Sequence, residues 1–137
     1  MAQGKGAKRS GGETPAQSAV RYIEAHYAEK FSLRTMSAEL FVNGSYLLRV
    51  FKKHMGVTPL AYHNRLRCEK AAKLLADTDR SISETGETVG FVSSAHFSHV
   101  FKKETGMTPS EYRLRFRNER AEGEGGAAEE TEEKERI

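Results

Sequence analysis

The chain has 137 residues, a net charge of +3, one Cys and no Trp. One cysteine excludes a disulfide framework and points to a reducing, cytoplasmic compartment. No apolar run approaches the roughly 20 residues of a membrane span, and no apolar secretory segment opens the chain, so no membrane role is expected.

The charge is unevenly placed. Residues 1–14 carry +2, residues 15–120 carry +6 and residues 121–137 carry −5. A basic body with an acidic end favours a polyanionic partner, nucleic acid before membrane. Charge alone does not decide the matter, because many small soluble domains are as basic and bind no DNA.

Met1 to Gly12 is rich in Gly and Lys/Arg without apolar periodicity, and reads as a flexible basic arm. Thr14-Pro15 predicts a helix start, with Thr as N-cap and Pro at the first helical position, where its missing N–H costs nothing. Ala16, Val20, Ile23 and Tyr27 form one apolar stripe to about Lys30. Ser32 is the next N-cap. Leu33, Met36 and Leu40 mark a short helix with the small Ser37 inside it, and Asn43-Gly44 breaks it. A third helix is predicted from Ser45 to Met55, stopped by Gly56. Thr58-Pro59 opens a long helix to Ala76, on the order of 27 Å in length.

The pattern then recurs. Ser81 is an N-cap; Ile82, Thr85 and Val89 parallel Leu33, Met36 and Leu40, and Gly86 parallels Ser37. A break over Gly90 to Ser94 precedes a helix from Ala95 to Thr105, stopped by Gly106. Thr108-Pro109 opens a last short helix through Arg117. Between Ser45–Tyr62 and Ala95–Tyr112, eight of eighteen positions are identical, including Val-Phe-Lys-Lys and Gly-x-Thr-Pro. An internal repeat of this kind fixes the architecture. Short helix, tight break, second helix and glycine stop form a helix-turn-helix. The expected fold is all-α: two helix-turn-helix subdomains joined by a long central helix, about seven helices in all. The map is a basic arm (1–14), a first subdomain (15–57), a linking helix (58–77), a second subdomain (78–117) and a disordered acidic tail (118–137).

On a helical wheel Leu47, Val50 and Phe51 share one side of the second helix of the first copy. Ser45, Leu48, Arg49 and Lys52 take the opposite side. In the second copy Phe97, Val100 and Phe101 face Ala95, Ser98, His99 and Lys102. Lys53 and Lys103 lie at the margin. Each outer face begins small or polar and ends in cations, the order a recognition helix needs: base edges first, flanking phosphates later. Arg49 can bridge guanine O6 and N7, Leu48 suits a thymine methyl, and Ser98 and His99 suit base edges or phosphates. Lys52, Lys53, Lys102 and Lys103 are candidate phosphate contacts.

Bland alternatives exist for each feature. Phe-Lys-Lys in one helix is usually an apolar residue beside a solvated edge; its recurrence at one wheel position argues against that here. His96 and His99 have a spacing that can hold a metal, but no Cys or carboxylate completes a site, so no metal or cofactor is expected. Cys68 reads as a small core residue beside Ala71 and Leu75. No nucleophile–base pair, carboxylate pair or phosphate loop suggests an enzyme. The acidic tail reads either as a solubilising end or as a competitor for the basic faces.

The second copy also resembles the AraC/XylS family of bacterial transcription regulators. The resemblance rests on Ile82-Ser83-Glu84, on Val89-Gly90-Phe91, and on the string Phe97-Ser98-His99-Val100-Phe101-Lys102-Lys103-Glu104-Thr105-Gly106-Met107-Thr108-Pro109-Ser110-Glu111-Tyr112-Arg113. Thr58-Pro59, Tyr62, Arg67, Ala71, Leu74 and Leu75 fit as well, so it covers residues 16–117. It implies a monomer that binds double-stranded promoter DNA, an activator that touches RNA polymerase. It places base contacts at Ser45, Leu48, Arg49, Ser94, Ala95, His96 and His99. Thr85 stands where Ile or Leu is usual, Phe41 where Gly is frequent, His63 where an aliphatic is usual and His99 where Arg is common. The chain is similar to the small single-domain members, or to the DNA-binding part of a larger ligand-responsive regulator. The competing class is a helical module that binds an acidic protein.

Overall fold

The structure, a computed structural model, describes residues 12–124. Its elements are α1 (Pro15–Ala25), α2 (Leu33–Glu39), α3 (Gly44–Met55), α4 (Pro59–Asp77), α5 (Ile82–Thr88), α6 (Ser94–Thr105) and α7 (Pro109–Glu124). The described residues are all-α, as the repeat implies. The basic arm over Met1 to Gly11 and the acidic tail from residue 125 onward lie outside the described residues.

Local chemistry sets the helix starts. The Thr14 hydroxyl accepts the Gln17 N–H while the Gln17 side chain accepts the Thr14 N–H, a reciprocal cap. Ser81 with Glu84 and Thr108 with Glu111 do the same. Ser32 caps α2. Gly56 and Gly106 end α3 and α6 in the left-handed region, at φ of 80° and 87°.

Three boundaries differ from the sequence reading. α1 ends at Ala25 rather than Lys30. The Arg67 guanidinium takes the carbonyl oxygens of Tyr27 and Glu29, each at 2.7 Å, and holds that segment out of the helix. Asn43-Gly44 does not only break α2. Asn43 caps α3, its Oδ1 accepting the Tyr46 N–H at 2.9 Å, and Gly44 is the first helical residue; Ser93 and Ser94 play these parts for α6. α7 continues past Arg117 to Glu124, so the first residues assigned to the tail are helical. Glu119, Arg120, Ala121 and Glu122 in that stretch are compatible with helix, whereas Gly123 disfavours it.

The chain divides inside α4, between Arg67 and Cys68, into two units. In the first, Ala19, Ile23, Met36, Leu40, Leu47 and Phe51 form the core, with α1 and α2 packed on α3. In the second, Cys68, Ala71, Leu75, Val89, Phe97, Val100 and Phe101 are buried, with α5 and α7 packed on α6. Buried Ala16, Ala19 and Ile23 of α1 have the spacing of buried Cys68, Ala71 and Leu75 of α4. The repeat therefore reaches further than its helix-turn-helix. The start of α4 closes the first unit, as α7 closes the second: Tyr62 meets Phe51 edge-on at 5.8 Å, and Tyr112 meets Phe101 at 5.4 Å. The rest of α4 opens the second unit as α1 opens the first.

Two departures from the family pattern have local consequences. Thr85 is fully buried, and its hydroxyl donates to the Ser81 carbonyl at 2.9 Å, so no polar atom is orphaned. Phe41 adopts φ 58°, a left-handed backbone that its counterpart Gly90 reaches without a side-chain clash.

Candidate nucleic-acid interface

Each helix-turn-helix places its second helix by apolar contacts at the rear and leaves the front to solvent. In α3, Leu47 and Phe51 are fully buried and Val50 is half-buried, which fixes the rotation of the helix. Ser45, Leu48, Arg49, Lys52 and Lys53 are then exposed. In α6, Phe97, Val100 and Phe101 are buried, while Ser94, Ala95, His96, His99, Lys102 and Lys103 are exposed. Ser98 alone among the candidate residues is half-buried, at the edge of the face rather than on it.

Backbone polarity supports the same face. The last turn of α3 holds Lys52, Lys53 and His54, and that of α6 holds Lys102 and Lys103. Cations there suit the helix dipole and leave the N-terminal turns free of charge repulsion. Among the described residues none of these four lysines, nor Arg49, is held in an ion pair. Their charge stays available to a polyanion. Leu48, 40% exposed, is an apolar surface on an otherwise polar face.

One residue of this face escapes the wheel. Tyr46 is 43% exposed and its ring lies under the Arg49 guanidinium, 5.4 Å from carbon to centroid. Spacing of i and i+3 was the available signal, since such residues meet on a helix surface. The corresponding His96 instead meets Phe91 edge-on at 5.4 Å. The two units thus present different chemistry from one backbone plan.

Away from this face, the first unit holds a pocket of about 320 Å³ lined by Tyr22, His26, Phe31, Thr35 and His63 among others. His63 is buried and neither ring nitrogen has a hydrogen-bond partner or access to solvent. Desolvation, and then the nearby Arg67 cation, lower its pKa to about 4, against weaker opposition from the backbone of Glu29 and His26. Its imidazole is neutral, with both nitrogens shielded from water. Among the described residues no group of three metal-ligating side chains converges. No described helix is long and apolar enough to cross a membrane.

Two exposed recognition helices, each held by a buried Phe and its apolar neighbours and each ending in a lysine pair, define a double helix-turn-helix. The chain belongs to the AraC/XylS family: the helix-turn-helix domain family matches it over residues 36–115. The HTH-type transcriptional activator RhaS of Enterobacter sp. (strain 638) is 39% identical over 70 residues, 51% of this chain and 25% of that protein. The C-terminal domain of AraT, a response regulator from Geobacillus stearothermophilus, is 33% identical with a TM-score of 0.72, covering 77% of this chain and 88% of the other. The DNA-binding domain of AdpA, a global transcriptional factor solved in complex with a target DNA, is 27% identical with a TM-score of 0.73, covering 79% and 97%. The chain spans about a quarter to a third of the length of the curated relatives it matches.

Proposed function

We propose that the chain binds double-stranded promoter DNA in a sequence-specific way and activates transcription, as a monomer in the cytoplasm. The observation that carries the reading is the doubled outer face: small and polar residues in the first turns of α3 and α6, and two exposed lysines in the last turn of each. α3 and α6 enter successive major grooves, which lie about 34 Å apart on one side of B-DNA. Ser45, Leu48 and Arg49 meet base edges from the first unit. Ser94, Ala95, His96 and His99 do so from the second, with Ser98 at the margin. Lys52, Lys53, Lys102 and Lys103 meet phosphates and supply affinity without sequence information. The activating role is supported by the transcriptional activator RhaS among the relatives, and in this reading activation proceeds through contact with RNA polymerase. The protein acts by binding rather than by catalysis.

The test is titration of the protein on a duplex selected from a random pool, against unselected duplex, at several salt concentrations. A selected-to-unselected affinity ratio well above one and a negative salt slope are expected. A ratio near one would reject specific binding, and no affinity for DNA beside tight capture of an acidic protein would favour the interaction-module reading.

A further inference from the structure

We propose that Tyr46 is a positioning residue for base reading, holding the Arg49 guanidinium in place so that the first unit carries a pre-set guanine-reading arm. The proposal rests on the DNA-binding function above and deepens it.

Tyr46 sits in the first turn of α3, where the Asn43 cap fixes its backbone. Its ring is not part of the core of the first unit and stands 43% exposed. One turn later Arg49 projects from the same surface and lays its guanidinium 5.4 Å from the ring centroid. An exposed arginine samples many rotamers, and reading guanine requires one of them, with two N–H groups aligned on O6 and N7. Stacking on an aromatic face uses the flat side of the guanidinium and leaves its N–H edge open for that purpose. Among the described residues no carboxylate pairs with Arg49 and diverts that edge.

The second unit lacks the device. His96, in the Tyr46 position, is turned against Phe91 with an interplanar angle of 80°, and the residue one turn on is His99 rather than arginine. The same two positions therefore give a guanidinium resting on an aromatic ring in one unit and no such pair in the other. Sequence discrimination is expected to be sharper in the half-site read by α3.

The experiment uses the full chain and duplexes carrying every single-base change in a site selected by the wild type. Tyr46→Ala is expected to cut discrimination about two- to fivefold, and only at the base pair where Arg49→Ala relaxes it. Tyr46→Phe keeps the ring and is expected to keep the wild-type profile. Tyr46→Ala with Arg49→Ala is expected to match Arg49→Ala alone, because the ring acts through the guanidinium. A thermal midpoint unchanged in Tyr46→Ala sets a folding defect aside, and a lowered one with uniformly weaker binding overturns the proposal. It is also overturned if Tyr46→Ala leaves the profile intact, if it weakens all duplexes alike, or if Tyr46→Phe is as damaging. A wild type that selects no sequence overturns the DNA reading itself, a different outcome from a specific protein indifferent to Tyr46.

Discussion

His63 and Arg113 hold the same position in the two halves of the repeat, and of the two only Arg113 makes side-chain hydrogen bonds. Its guanidinium donates to the carbonyls of Leu75 at 2.9 Å and Thr78 at 3.2 Å, closing the end of α4. The imidazole of His63 lies beside the backbone of His26 and Glu29 but makes no full hydrogen bond, and neither ring nitrogen has a partner. Arg67 secures that segment instead, through Tyr27 and Glu29. An orphaned buried polar group costs about 1–3 kcal/mol. His63→Leu, of similar volume and without polar atoms, is expected to raise stability by about 1–2 kcal/mol, read as a higher urea midpoint at pH 7 with unchanged slope. A lower midpoint would show that the imidazole has a partner.

The same residue makes stability fall with pH in a defined window. The folded-state pKa is about 4 and the ordinary value is 6.5. Between these the unfolded chain binds the proton and the folded chain does not, so lowering the pH through this range favours unfolding. After allowance for solvent screening, the shift corresponds to a loss of about 1–3 kcal/mol by pH 4. The stability gap between His63→Leu and the wild type is expected to widen from pH 6.5 down to 4. A constant gap over that range would rule out a buried neutral imidazole.

Gly86 of α5 packs tightly against Phe97 of α6. A Cβ there would stand 2.7 Å from Cδ2 of Phe97, whose ring is fully buried against Phe91 and Phe101. Alanine gains about 0.5–1 kcal/mol of helix propensity over glycine. Overpacking against a ring that has nowhere to move costs about 1–3 kcal/mol. The second effect wins, and Gly86→Ala is expected to lower stability by about 1–2 kcal/mol in denaturant titration. At the matching Ser37 a small side chain is already accommodated, its hydroxyl donating to the Arg34 carbonyl at 3.2 Å.

Much of this was legible in the sequence because the signals are local. Thr14-Pro15, Ser32, Ser81 and Thr108-Pro109 announce helices whose caps the structure contains. The wheel separates Leu47 and Phe51 from Arg49 and Lys52 because rotation of a helix follows from its apolar stripe. What was not legible depends on residues far apart in the chain. The early end of α1 is set by Arg67, some forty residues on. The orphaned state of His63 depends on which carbonyls its ring can reach, and half-burial of Ser98 on how deeply α6 settles. Tyr46 had a local signal, its spacing from Arg49, yet propensity and hydropathy assign no meaning to a ring beside a guanidinium until the side chains are placed.

The lysines and Arg49 are expected to fail differently when removed. Lys52 and Lys102 stand exposed near the C-terminal ends of their helices, where only phosphate is within reach of a cation in a groove-bound recognition helix. Removing one lysine–phosphate pair reduces the slope of log affinity against log salt by about 0.9 in magnitude, whatever the sequence. Lys52→Ala and Lys102→Ala are each expected to weaken selected and unselected duplexes alike and to flatten the slope by about one. Arg49→Ala is expected to cost about 1–3 kcal/mol on the selected duplex and to relax one base position. Its effect on unselected duplex should be small, because a base-reading arginine contributes little where the base is wrong. Fluorescence anisotropy at several salt concentrations separates the two patterns. If Lys52→Ala changed base preference, or Arg49→Ala only the salt slope, the division between reading and gripping along α3 would be reversed.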